Sequence, residues 1–394
     1  MKRFGVVTVL LGALALPPAA AQNIKLPASL GDLEKVARKD SNDAAAHYNV
    51  ALAYWNAKRW DDADSALHRA LRIDPQLAQA YLALSRLVYA RRPQIYEEMF
   101  NMKVPDEWRS RLSESYRNYQ HAFLVDPLVD LRIEAAARPG RSMWWSSSEY
   151  AEALYRYLYQ GLDDVEAGKY EAAYNSLSRL YDETHPVALR EALPNWVFYY
   201  KGLAAAHIGR YNEAIGDFSR LLNRADDHTN PDSLTYYIPI EANQYRYIIG
   251  VLQMRAGNYN EAITELRGTL EKDFGMYMAH VRLAEIYEQH GMMPMAIQER
   301  RSAVTANADD PSLLFDLAKT LAKAGQWTEA EQVLQQGGAA NPRDTRIPYL
   351  LGVIEQQLNK PADAKQAFTR FLSLAPSRYA PQVADARQRL DALH

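Results

Sequence analysis

The side chains best equipped for chemistry are scattered along the chain. Asp226, Asp227, His228 and Asp232 fall in one polar stretch and carry the donor types of a divalent-cation site. No second ligand cluster accompanies them, and acids beside a histidine are common in polar loops, so the stretch reads as solvated loop. His280 and His290 stand ten residues apart. A metalloprotease helix needs two imidazoles one turn apart with a glutamate between them, and no H-E-x-x-H is present. Asp163-Asp164 and Asp226-Asp227 are adjacent acids, which are ordinary on a surface helix or loop; catalytic carboxylate pairs are made in space. The phosphate-cradling G-x-x-x-x-G-K-[ST], a G-x-G-x-x-G after a strand and the G-x-S-x-G elbow are all missing. The sequence therefore predicts no catalytic residue, no metal and no cofactor. With no cysteine, the chain has no thiolate metal site, disulfide, covalently held haem or lipid-modified amino-terminal Cys.

What would position any site is a repeat. Registers starting at Asn243, Tyr277, Pro311 and Thr345 are 34 residues apart, and further starts fit at Ala44, Ala78, Leu154 and Asn195. The eighth position of each unit is small: Ala51, Ser85, Gly161, Gly202, Gly250, Ala284, Ala318 and Gly352. The twentieth is Ala63, Ala173, Ala214, Ala262, Ala296, Ala330 or Ala364. Both sets suit two helices that cross closely, and they are expected to meet inside each hairpin. Gly168, Gly209, Gly257, Gly291 and Gly325 supply turns that need positive φ, and a bulky residue such as Tyr170, Tyr211 or Trp327 follows two positions later, with Trp60 at the same place in the first unit. Large apolar residues at the twenty-fourth position, including Leu177, Phe218, Leu266 and Phe368, fill the space between neighbours, and Pro75, Pro342 and Pro376 end units. These residues resemble the tetratricopeptide repeat. The resemblance implies an all-α fold, a right-handed superhelical solenoid of antiparallel helix pairs, because one pair cannot bury its apolar faces alone.

The register divides the chain. Met1-Lys2-Arg3, an apolar run over Phe4–Leu16 and Pro17-Pro18-Ala19-Ala20-Ala21 have the order of a signal peptide, so residues 1–21 are expected to be removed after Ala21 and the protein to be periplasmic or secreted. The apolar run is too short to span a bilayer, and no later stretch qualifies. Residues 22–43 form a leader and 44–127 hold N-terminal repeat units with an insertion near 93–105. An irregular connector at 128–153 leads to the main array at 154–376, which carries an insertion near 226–239. Residues 377–394 read as a capping helix. From Asp106 to Val125 the spacing of Leu112, Tyr116, Tyr119, Ala122 and Phe123 predicts a helix ended by Asp126-Pro127. Ser146-Ser147-Ser148-Glu149 matches a capping box with Trp145 and Tyr150 as its staple.

A formal net charge of -3, about -5 without Lys2 and Arg3, disfavours nucleic acid as a partner. In the repeat family, ligands usually lie on the concave face made by the first helices. That resemblance implies a groove of Tyr48, Tyr155, Trp196, Tyr199, Tyr247, Met254, Arg255, Phe315, Lys319, Lys323, Arg346 and Tyr349. Its aromatic residues are suited to anchor a peptide. The expected function is a non-enzymatic scaffold of the bacterial cell envelope that binds a polypeptide or the subunits of a complex. A glycan-binding or polysaccharide-export scaffold is the alternative, and a hydrolase with its site in the insertions a lesser one. Met99, Trp144, Tyr236 and Tyr237 are candidates for an interface on the insertions.

Overall fold

The computed structural model describes residues 29–95, 98, 103–129, 149–184, 193, 195–226 and 241–393. Among them every regular element is helical. In chain order these are α1 (Leu30–Lys39), α2 (Ala44–Asn56), α3 (Trp60–Ile73), α4 (Ala78–Arg91) and α5 (Asp106–Val125). Four hairpin helices α6 (Glu149–Glu166), α7 (Tyr170–Glu183), α8 (Asn195–His207) and α9 (Tyr211–Asp226) follow. Then come α10 (Ala242–Ala256), α11 (Tyr259–Lys272), α12 (Tyr277–Gln289), α13 (Met293–Ala306), α14 (Ser312–Lys323) and α15 (Trp327–Ala340). The chain closes with α16 (Arg346–Gln357), α17 (Pro361–Leu374), a 3₁₀ turn Ser377–Tyr379 and α18 (Ala380–Ala392). The architecture is an all-α solenoid of antiparallel pairs. The signal-peptide, capping-box and second-insertion readings fall on residues 1–28, 130–148 and 227–240, outside the described residues.

The hairpin is dictated by close approach. A Cβ added at Gly161 would stand 2.6 Å from Leu177 Cγ, at Gly202 2.9 Å from Phe218, at Gly250 3.0 Å from Leu266 and at Gly352 2.7 Å from the Phe368 ring. The eighth position of a unit thus meets the twenty-fourth of the same unit. The large residue at the twenty-fourth position, expected to fill space between neighbours, therefore also packs inside its own hairpin. The glycine turns hold: Gly168, Gly209, Gly257, Gly291 and Gly325 all have φ between 69° and 82°. At Gly257 the left-handed cap lets its amide reach back to the carbonyls of Gln253 and Met254.

The chain forms two compact units, 88–282 and a discontinuous one made of 1–87 with 283–394. In the discontinuous unit, Phe315, Leu321, Leu334, Leu350 and Ile354 make one core cluster. Tyr349, Phe368, Phe371 and Tyr379 make another, closed by Val383, Ala386 and Leu390 of α18 and by Leu393 just after it. The amino-terminal hairpin α2–α3 belongs to this unit through its loops. The Ser377 hydroxyl donates to Asp40 at 2.9 Å, Arg378 pairs with Asp43 at 3.3 Å, Asn42 donates to the Leu374 carbonyl and Asn341 to that of Ile73, both at 3.4 Å. In the 88–282 unit, α6–α7, α8–α9 and α10–α11 are successive hairpins, and Lys201 of α8 is held by both carboxylate oxygens of the buried Asp217, at 2.8 and 2.7 Å.

Gly352→Ala should lower the unfolding midpoint because a rigid ring occupies the space, a cost of about 1–3 kcal/mol. Gly216→Ala, in the middle of α9 with nothing within 4 Å of the added carbon, should raise it by about 0.5–1 kcal/mol. Urea titration followed by circular dichroism checks both; equal effects would sink the close-approach account.

Candidate functional site

The inner-face residues are mostly covered. Tyr48, Tyr247, Phe315 and Tyr349 are 3% exposed or less, and Trp196 and Tyr199 are also buried. Their expected role as an open aromatic groove is therefore corrected: each ring is packing. Tyr199 lies edge-on to Tyr200 and Phe218 at 5.3 and 5.7 Å. The Tyr349 hydroxyl donates to Asp385 at 2.7 Å, so the capping helix covers it. Phe315 lies under the Arg346 guanidinium, 4.6 Å from the ring centre. With their faces filled, Tyr199 and Tyr247 offer no plane on which a sugar could stack. The side chain of Tyr155 and residues Met99, Trp144, Tyr236 and Tyr237 are outside the described residues.

The groove cations are likewise engaged. Lys323 donates to Glu288 at 2.6 Å and Lys319 to Asp316 at 2.9 Å. Behind them the buried Arg300 reaches Glu288 at 3.0 Å and Asp316 at 3.5 Å, and the Thr320 hydroxyl donates to Glu288 at 2.6 Å. Burial alone would raise both carboxyl pKa values. The surrounding cations win, holding Glu288 and Asp316 below the ordinary carboxylate range. Phe315, Lys319, Lys323 and Arg346 are thus brought together, but around internal carboxylates. An anionic ligand would have to break ion pairs already made.

A second buried acid is less well served. Glu355 of α16 leaves Oε2 without a hydrogen-bond partner. It faces Glu331 of α15 and Asp363 of α17, while the Lys360 ammonium is taken by both Glu331 oxygens at 2.7 Å. Burial first, then repulsion from Asp363 and Glu331, pushes the Glu355 carboxyl up to about 7, against the pull of Lys360.

One stretch of inner face does hold a peptide, and it is the chain's own. Phe123–Leu128, at the end of α5, lies on the first helices of the 88–282 unit. The Tyr247 hydroxyl donates to the Leu124 carbonyl at 3.2 Å, Arg282 Nη2 to that of Val125 at 3.1 Å and His207 Nε2 to that of Leu128 at 2.9 Å. Arg255 stands 3.7 Å from the Asp126 carboxylate. Phe123 meets the Tyr247 ring edge-on at 6.4 Å. His207 is oriented by Tyr170, whose ring stacks parallel to the imidazole at 4.0 Å; this bulky residue after the glycine turn thus holds one of the side chains that meet the segment. Of these residues, the sequence singled out Tyr247 and Arg255 as groove members and missed His207 and Arg282. His207 had a readable signal, since it sits at the thirteenth position of its unit as Arg255 does. Arg282 had none, and Asp126-Pro127 looked only like a helix stop.

Among the described residues there is no group of three His, Asp or Glu side chains placed to hold a metal ion. No described helix is long and apolar enough to cross a membrane.

Paired helices, glycine turns and a small-residue crossing that returns hairpin after hairpin define a helical-repeat protein. The tetratricopeptide-repeat family matches residues 44–77, 249–311 and 296–354, and the chain is a tetratricopeptide-repeat protein. The type IV pilus assembly protein PilF of Pseudomonas aeruginosa is 29% identical over 146 residues, covering 36% of this chain and 57% of that protein. The chain thus spans little more than half the length of this relative. Among solved structures, the C-terminal part of a TPR repeat-containing protein from Cytophaga hutchinsonii covers 62% of this chain and 87% of its own, with 12% identity and a TM-score of 0.46. MamA from Desulfovibrio magneticus RS-1 covers 46% and 94%, with 15% identity and a TM-score of 0.38.

Because Glu355 keeps its proton more tightly when folded, its contribution to stability is full below about pH 4.5 and is lost as pH rises through 7. Glu355→Gln should therefore unfold at higher temperature than the native chain at pH 8, with the gap closing towards pH 5. Thermal scans across that range check the sign; a constant gap would remove the titration from the account.

Proposed function

We propose that this chain is a non-enzymatic scaffold that holds a polypeptide of the bacterial cell envelope on the first-helix face of its repeats. The observation that carries the reading is the hold on Phe123–Leu128: four side chains from three successive hairpins grip three carbonyls and one carboxylate of a peptide segment. Phenol, imidazole and guanidinium donors aimed at main-chain oxygens recognise polypeptide as such, with side-chain preference added by one ion pair and one aromatic contact. Repeat matches over both ends of the chain support a role in protein interaction. The envelope assignment rests on Met1–Ala21, which has the order of an export signal, and draws support from the name of the PilF relative, an assembly protein for type IV pili.

Crosslinking the tagged full chain in a bacterium that carries it, followed by mass spectrometry, should recover a specific envelope polypeptide. The crosslinks should map to α8, α10 and α12, and the purified chain should begin at Gln22. Recovery of no specific polypeptide, or of crosslinks confined to second helices, would overturn the reading.

A further inference from the structure

We infer that Phe123–Leu128 is a displaceable internal ligand, exchanged on the α8, α10 and α12 face for a partner peptide of the same chemistry: an aromatic residue, then an acid-proline-leucine turn. The inference rests on the scaffold reading and adds how its site is controlled.

The case begins with what is recognised. Three of the four polar contacts end on backbone oxygens, of Leu124, Val125 and Leu128, so any peptide in the same conformation can satisfy them. The one contact to a side-chain charge is loose. Arg255 and Asp126 are separated by 3.7 Å, with 37% and 32% of their side chains exposed, in the class of ion pair that adds little to stability.

The segment is also shaped locally. Asp126 Oδ1 accepts from the Leu128 amide at 3.0 Å, and the Asp126 carbonyl accepts from Val129 at 3.0 Å. This turn, with Pro127 fixing one backbone angle, is made by contacts within the segment itself. Phe123, Val125, Pro127 and Leu128 are buried, so a competitor must cover the same apolar area, and one with the same Asp-Pro-Leu order arrives with its turn formed. The face has its own support as well: His207 is held against Tyr170 by ring stacking. Tethered in the same chain, the segment faces an incoming peptide at high effective concentration, so the native chain binds partners weakly until it is displaced.

The test uses the full chain and a fluorescent peptide, His-Ala-Phe-Leu-Val-Asp-Pro-Leu-Val-Asp, copied from residues 121–130. Asp126→Lys breaks the turn and sets a lysine before Arg255, which releases the internal copy. By fluorescence anisotropy this variant should bind the peptide about tenfold or more tighter than the native chain, since the fraction of open sites rises. Arg255→Glu added to it should abolish the gain, and a peptide with lysine in place of its first aspartate should not bind. A folded Asp126→Lys chain that binds no tighter than the native one overturns the inference. If the Asp126→Lys chain fails to fold, hydrogen exchange on the native chain decides. Amides of 123–129 that exchange well before those of α10 support release, and matching rates make the segment permanent core. Should the peptide bind the released variant while no envelope polypeptide is ever captured, the scaffold reading falls and the internal ligand stands. The reverse pattern leaves the scaffold and removes the ligand.

Discussion

Everything in this molecule follows from one steric condition: inside a hairpin the two helices come so close that only a small residue fits at the crossing on one of them, and in four hairpins that residue is glycine. At Gly161, Gly202, Gly250 and Gly352 the place of a Cβ is already taken by Leu177, Phe218, Leu266 or Phe368 from the second helix. That contact sets the separation and stagger of each pair. The positive-φ glycine turns complete it, because a helix that must return so tightly needs a residue free of Cβ strain at the reversal. Once the pair is rigid, its apolar outer stripe has one way to meet the next pair, and the repeat propagates.

This condition is local and was legible. Small residues at the eighth position, glycines at the turns and large residues at the twenty-fourth recur at fixed spacing, so helix order and pairing could be read from Asn243 onward. What covers the inner face could not. A 34-residue period says which side of Tyr247 points inward, yet the oxygen it meets belongs to Leu124, 123 residues earlier. Tyr349 likewise looked free in its own repeat, while its partner Asp385 lies on the helix that closes the array. Aromatic residues at inward positions look like groove lining in the sequence because local pattern carries no record of distant chain returning to fill the space.

Charge shows the same division. Lys319 and Lys323 appear in sequence as cations one turn apart on an inward stripe. In the folded unit they serve Asp316 and Glu288, beside a fully enclosed Arg300, so this cluster is electrostatically satisfied from within. Desolvating so many charges is tolerable only because each has a partner, and the loss of one leaves another stranded. The contrast with the 88–282 unit is chemical. There the inward donors are a phenol, an imidazole and two guanidiniums, and three of the four are directed at main-chain oxygens.

The discontinuous unit carries a consequence for how the protein comes into being. Asp40, Asn42 and Ile73 are bonded to residues near 341–378, so the first hairpin to leave the ribosome must wait for almost the last residues to be made. Until then its loop edge has nothing to pair with, and the intervening 88–282 unit can complete its own packing first. Closure of the two ends is a late, non-local step of the kind that slows folding and leaves a nascent chain open to capture. A protein that cannot finish folding until its carboxyl end appears stays threadable for longer.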